Sequence, residues 1–234
     1  SDVDENGDQI VSFTGPGLFT FPNWKKTMME TYDRSATNRL LSNAYFEADI
    51  HNDFFFKSAV SVDLGNAKRR VFNPSTAGGI FSPPPKLATG SYSTNDYSSW
   101  LTENTLNYTK NLGNHFIDAL VGYSAQKYHQ ENNVLTGTSY PDDEVSWIDA
   151  AAIRYGNSNM SEWSLLSMFS RLNYNYMGKY LLSLSVRRDG SSRFGSENRW
   201  GTFPSVSAGW TLTNENFMAS APGWISRLKL RASW

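Results

Sequence analysis

The strongest constraint on this chain is a period of two. Between residues 54 and 64 the even positions are Phe54, Phe56, Ser58, Val60, Val62 and Leu64, and the odd ones are Phe55, Lys57, Ala59, Ser61 and Asp63. Alternate residues of an extended strand point to opposite sides, so the segment carries one apolar and one largely polar face. The pattern returns at residues 40–50, where Ala44, Phe46, Ala48 and Ile50 oppose Asn43, Glu47 and Asp49. It returns again at residues 227–234, where Leu228, Leu230, Ala232 and Trp234 oppose Arg227, Lys229, Arg231 and Ser233. Three cations on one face need water there. Residues 97–110, 115–129, 164–176, 179–188 and 201–212 are of the same kind, giving about eight strands and little helical periodicity.

Many of these strands exceed the five or six residues usual in globular sheets. A strand tilted across a bilayer needs roughly 9 to 11 residues. No apolar run approaches the roughly 18 residues of a membrane helix, and the mean hydropathy is −0.49, so membrane helices are excluded while membrane strands are not. With 21 Lys+Arg against 22 Asp+Glu, the net charge of −1 argues against a nucleic-acid partner. Aromatics make up 15% of the chain and charged residues only 18%, against roughly 25% in an ordinary soluble domain. There is no Cys, hence neither a disulfide framework nor a thiolate metal site.

The connections alternate in length. His51-Asn52-Asp53, Asn111-Leu112-Gly113-Asn114 and Met177-Gly178-Lys179 are short turns, whereas residues 65–96, 130–163 and 189–200 read as long connections. Residues 1–39 read as a further loop region, with a short helix within 23–39, and residues 40–234 as the strands. Transmembrane barrels alternate in this way, with short periplasmic turns and long extracellular loops. Tyr174, Tyr176 and Tyr180 flank one short turn and Tyr108 and Phe116 another, as an aromatic girdle does, though tyrosines also pair across ordinary hairpins. The first long connection contains Ser82-Pro83-Pro84-Pro85, a stiff stretch unable to donate to a sheet.

Residues 171–210 read RLNYNYMGKYLLSLSVRRDGSSRFGSENRWGTFPSVSAGW. Arg171, Asn173 and Tyr174, then Tyr180, then Arg188, Asp189, Gly190, Ser191, Ser192, Arg193, Phe194 and Gly195 form the first part of a recognisable signature. Asn198, Arg199, Trp200 and Gly201, with Phe203, Pro204, Ser205, Ser207, Gly209 and Trp210, complete it. The stretch closely resembles the barrel signature of TonB-dependent outer-membrane transporters of the SusC/RagA type. That resemblance implies an all-β, antiparallel transmembrane barrel of about 22 strands with a plug in its lumen. It also implies a Gram-negative outer-membrane location, a SusD-like surface lipoprotein as partner, and TonB-driven uptake of glycans or peptides. The chain shows no plug, no TonB-contact segment and no signal peptide, and reads as an internal fragment that would be an open curved sheet if isolated. TonB contact would fall to a missing N-terminal region.

From the residues alone, Arg188, Arg193 and Arg199 are set to pair with Asp189 and Glu197, either as a loop lock or as an anion contact. Pro204 within a strand implies a bulge or an amide that needs no partner. Trp100, Tyr140, Trp147 and Trp163, all read as extracellular-loop residues, are the candidate contacts for substrate or partner. Asp142, Asp143 and Glu144 suit either a calcium ion or a solvated acidic run. His51, His115 and His129 lack metal-ligand spacing, and no nucleophile–base set emerges, so neither catalysis, a resident metal nor a cofactor is expected. The competing architecture is a carbohydrate-binding β-sandwich with aromatic loops. Lys57, Asp63, Arg171, Arg227, Lys229 and Arg231 make its would-be interior too charged.

Overall fold

The computed structural model describes residues 24–77, 85–220 and 222–234. A short helix, α1 (Trp24–Glu30), precedes eight strands: β1 (Tyr32–His51), β2 (Phe54–Asn73), β3 (Thr89–Leu112), β4 (His115–Thr138), β5 (Ile153–Tyr176), β6 (Tyr180–Ser191), β7 (Trp200–Thr211) and β8 (Lys229–Ser233). They form one antiparallel sheet in sequence order, β1 to β8, left unclosed. A sandwich needs a second sheet over the apolar face, and all eight described strands lie in one, which removes that alternative.

Five strands run further than the hydropathy pattern reaches. β1 and β2 have 20 residues each and β3, β4 and β5 have 24 each. Tyr32–His51 begins within the stretch read as loop, and the connections after β2 and β4 shrink to residues 74–88 and 139–152. Trp163 is therefore a strand residue of β5, and Trp100, within the strand read at residues 97–110, lies in β3; neither is a loop residue. Of Ser82-Pro83-Pro84-Pro85, only Pro85 lies among the described residues.

The chain divides into two compact units, both built from these strands: Ser1–Arg39, Leu64–Tyr97 and Gln130–Ser161 in one, Leu40–Asp63, Ser98–His129 and Glu162–Trp234 in the other. In the second unit the register settles the faces. Leu172, Leu184 and Val206 lie side by side, as do Tyr174, Leu182, Ala208 and Ala232, and likewise Tyr180, Trp210 and Leu230. Toward the short turn, the even positions of β5–β8 from Leu172 to Tyr176, Tyr180 to Val186, Pro204 to Trp210 and Leu230 to Ala232 thus fall on one apolar face. The opposite face is polar: Asn173 donates to Asp118 at 2.9 Å and accepts from Ser183 at 2.7 Å, and Ser185 and Ser205 bond at 2.8 Å. Pro204 stands opposite Val186 in unbroken register, so no bulge is needed there.

The first unit is polar on both sides. Asn133 donates to Thr94 at 3.3 Å and accepts from Ser158 at 2.6 Å, a ladder across β3, β4 and β5. The next residue of each strand makes a second ladder, Asn95 to Asn132 and Asn132 to Asn159. Consecutive residues point to opposite sides, so these ladders stand back to back. Burial is concentrated beside the connections, where Phe72, Ala77, Ala88 and Ala151 form a small core.

Candidate functional site

The short-turn end of the second unit carries an aromatic row. Tyr176, Tyr180 and Trp210 stack in series with centroids 6.3 Å apart at each step, and His115 lies 4.8 Å from Tyr176. Met177 and Gly178 both have positive φ, which closes the turn, and Asn175 Oδ1 accepts from the Gly178 amide at 2.9 Å. The polar tips converge on Glu215 in the connection after β7. It accepts from Lys179 at 2.9 Å and from the Trp210 indole at 3.0 Å, and it bonds the Tyr180 hydroxyl. Lys179 first, then Trp210 and Tyr180, hold its carboxyl down to about 2. Rings tied at one polar edge and apolar elsewhere suit a membrane–water boundary.

The signature residues between β6 and β7 hold a tight connection. Ser191 accepts from the Phe194 amide at 3.3 Å through its carbonyl, and its own amide donates to the Arg199 carbonyl at 3.0 Å. Ser192 and Ser164 exchange two bonds, at 2.8 and 2.9 Å. Gly190 lies under the Trp200 ring, where an added Cβ would sit 2.8 Å from it. The expected pairing of Arg188 with Asp189 is not made. Arg187 holds Asp189 at 2.8 and 3.0 Å and reaches Ser167 at 2.9 Å, while Arg188 lies over Trp200 at 5.2 Å. Arg193 stacks on Trp163, 5.2 Å from the ring centroid, instead of pairing with Glu197.

The four candidate contact residues are not gathered into one site. Trp163 stacks on Tyr128 at 5.5 Å and 19°. Trp100 shares a surface recess with Lys127, His129 and Glu162. Tyr140 packs edge-on against Phe72 at 5.1 Å, its hydroxyl directed at Gly90 and Gly137, either of which would clash if given a Cβ. That hydroxyl is buried without a partner among the described residues, and burial pushes its pKa up. Trp147 is 62% exposed and stacks on Arg70 at 3.6 Å, with Tyr32 also against that guanidinium. In the acidic run, Asp143 accepts from the Ser75 amide and hydroxyl at 2.7 Å each, and Asp142 accepts from the Glu144 and Val145 amides. Their oxygens hold the connection in place, and no group of three or more metal-ligating side chains occurs among the described residues.

Sequence reasoning missed Tyr128, Arg70 and Glu215. Tyr128 was legible as an even β4 residue set against Trp163. Glu215 gave no local signal, because its partners come from two strands and a turn.

Residues 2–234 match the model of the TonB-dependent receptor-like β-barrel. A TonB-dependent receptor of Formosa agariphila is 31% identical over 81% of this chain and 18% of its own length. The TonB-dependent receptor SusC of Bacteroides thetaiotaomicron is 39% identical over 54% of this chain and 12% of its own length. The chain thus spans about a fifth or less of the curated relatives it matches. The structure of the RagAB peptide transporter superposes with a TM-score of 0.82 at 22% identity, covering 97% of this chain and 26% of that one. The family match runs over nearly the whole chain, and the long antiparallel strands agree with it: the chain belongs to the TonB-dependent receptor-like β-barrels.

Proposed function

We propose that the chain forms part of the wall of a SusC/RagA-type importer that takes up glycans or peptides across a Gram-negative outer membrane. The observation that carries this reading is the continuous apolar face of β5–β8 backed by a hydrogen-bonded polar face, the arrangement of a strand wall between lipid and a wet lumen. The aromatic row at the Met177–Gly178 turn is the periplasmic boundary. The two-sided polar ladders lie toward the long-connection ends of β3, β4 and β5, the extracellular side in this reading. A SusD-like surface lipoprotein covers that side, and TonB acts through another part of the full-length receptor. The wall itself does no catalysis; it positions cargo contacts.

Uptake of labelled oligosaccharides and oligopeptides by cells expressing the full-length receptor tests this. Uptake should require both TonB and the neighbouring lipoprotein. Uptake that persists without TonB, or loss of the receptor with no change in uptake of either class, overturns the reading.

A further inference from the structure

We propose that Arg193, seated on Trp163 beside Tyr128, is a subsite for an oxyanion borne by the cargo: a carboxylate supplied by a peptide C-terminus or by a uronate residue of a glycan. This rests on the importer reading for the word cargo, but not for the binding itself.

The β5–β6 register runs to Leu165 opposite Ser191, and the Ser164–Ser192 bonds carry it one pair further. The next pair is Trp163 and Arg193. β4 flanks β5 on the other side and brings Tyr128 onto Trp163. Tyr128, the Trp163 indole and the Arg193 guanidinium therefore stand in a row, with Arg193 Cζ 5.2 Å from the indole centroid, on the face that also bears Arg171 and Asn173. The indole is thus already engaged by Tyr128 and by Arg193, and the group the row presents is the guanidinium.

Two neighbouring arginines are engaged differently. Arg187 is bound to Asp189 and Ser167, and Arg188 lies against Trp200. Arg193 is exposed and, among the described residues, has no carboxylate within ion-pair distance. A cation–π contact uses none of the guanidinium's N–H donors, which stay available in the fork that matches a planar carboxylate. The ring also orders the side chain beforehand, so less freedom is lost on binding. Sequence spacing alone had paired this residue with Glu197.

The test uses the purified full-length receptor in lipid and two matched probe pairs: trigalacturonate with its methyl ester, and trialanine with its C-terminal amide. Calorimetry should find the charged member of at least one pair bound about tenfold or more tighter than its neutral partner. Arg193→Gln should erase that preference while leaving the neutral partner's affinity within about twofold. Trp163→Phe, which keeps a plate under the cation, should retain most of it, and Trp163→Ala should not. Whichever pair shows the preference identifies the source of the carboxylate. No charge preference in the wild type, binding of neither pair, or a preference that survives Arg193→Gln overturns the subsite. If Arg193→Gln fails to fold, Arg193→Lys carries the test, since a point charge without the fork should reduce the preference. Failure of TonB-dependent uptake with charge-selective binding intact would remove the importer reading and leave the subsite standing.

Discussion

The two units are made from the same strands, yet they solve opposite solvent problems. In the unit containing Glu162–Trp234, one face presents Leu172, Leu182, Leu184, Val206 and Leu230 in register, and the other carries the Asn173–Ser183 and Ser185–Ser205 bonds. In the unit containing Gln130–Ser161, Asn and Ser ladders occupy both faces of β3, β4 and β5. Backbone pairing is satisfied in both, so strand formation does not depend on an apolar face. The side chains then decide which medium each stretch tolerates. Lipid accepts the first arrangement on one side only, and water accepts the second on both.

The largest expected effect breaks this comparison directly. In the full-length receptor, Leu184→Arg should cost roughly 2 to 4 kcal/mol in urea unfolding from lipid vesicles, because it places a cation on the apolar face. Ser158→Arg, on a ladder of the first unit, should cost well under 1 kcal/mol, as a wet surface substitution does. Equal costs at the two sites would mean that the apolar face is not in lipid.

A second contrast concerns close packing. Gly190→Ala drives a methyl against the Trp200 ring, and Gly90→Ala drives one against the Tyr140 hydroxyl in the small core beside the connections. Each should destabilise by about 1 to 3 kcal/mol. Double variants with Trp200→Ala and Tyr140→Phe separate the two cases. Trp200→Ala should relieve most of the Gly190 penalty, whereas Tyr140→Phe removes only the hydroxyl and should still relieve Gly90, since the oxygen is the atom in conflict. Penalties unchanged by the second substitution would discard the assigned contacts.

How far these features were legible follows from the same physics. Hydropathy alternation read the second unit well, since Val206, Ala208 and Trp210 alternate with Ser205, Ser207 and Gly209 and fall on one face as expected. It failed over Tyr32–Arg39 and over most of residues 65–96 and 130–163, because Asn95, Asn132 and Asn133 give no alternation when both faces are wet. The Arg188–Asp189 pairing failed for a reason the period of two already contained. Neighbours in a strand point to opposite sides, whereas Arg187 and Asp189 share one. Trp163 looked like a loop residue only because β5 was read too short, whereas Trp100 already fell inside the strand read at residues 97–110.

Glu215 provides a pH test of the boundary assigned to the aromatic row. Its carboxyl is held at about 2 by Lys179, Trp210 and Tyr180, below its ordinary value in the unfolded chain. A depressed carboxylate pKa contributes stability that is present above the unfolded value and is lost as pH falls through the folded one. Wild-type stability should therefore decline between about pH 4.5 and pH 2, and Glu215→Gln should flatten that part of the profile while leaving the decline from other carboxylates. Tryptophan emission should also shift on acidification if Trp210 loses its acceptor. An unchanged profile in Glu215→Gln would show that the three donors do not depend on this carboxylate.

The smallest effect comes from the backbone. Among the described residues each unit has one non-glycine residue in the left-handed region, Ser139 at φ 61° after β4 and Met177 at φ 56° in the β5–β6 turn. A side chain at positive φ strains the folded chain, and glycine removes that strain at the cost of a freer unfolded chain. Met177→Gly should gain about 0.5 to 1 kcal/mol, since Met177 is half exposed and its side chain loses little packing. Ser139→Gly should gain less, because a short polar residue tolerates this region better and the Ser139 carbonyl already anchors Ala152 at 3.1 Å. Hydrogen exchange on the two variants reads the difference locally: protection should rise in β5 and β6 for Met177→Gly and hardly change around residues 139–152 for Ser139→Gly. A loss of protection at the β5–β6 turn would mean that methionine packing, not turn strain, dominates there.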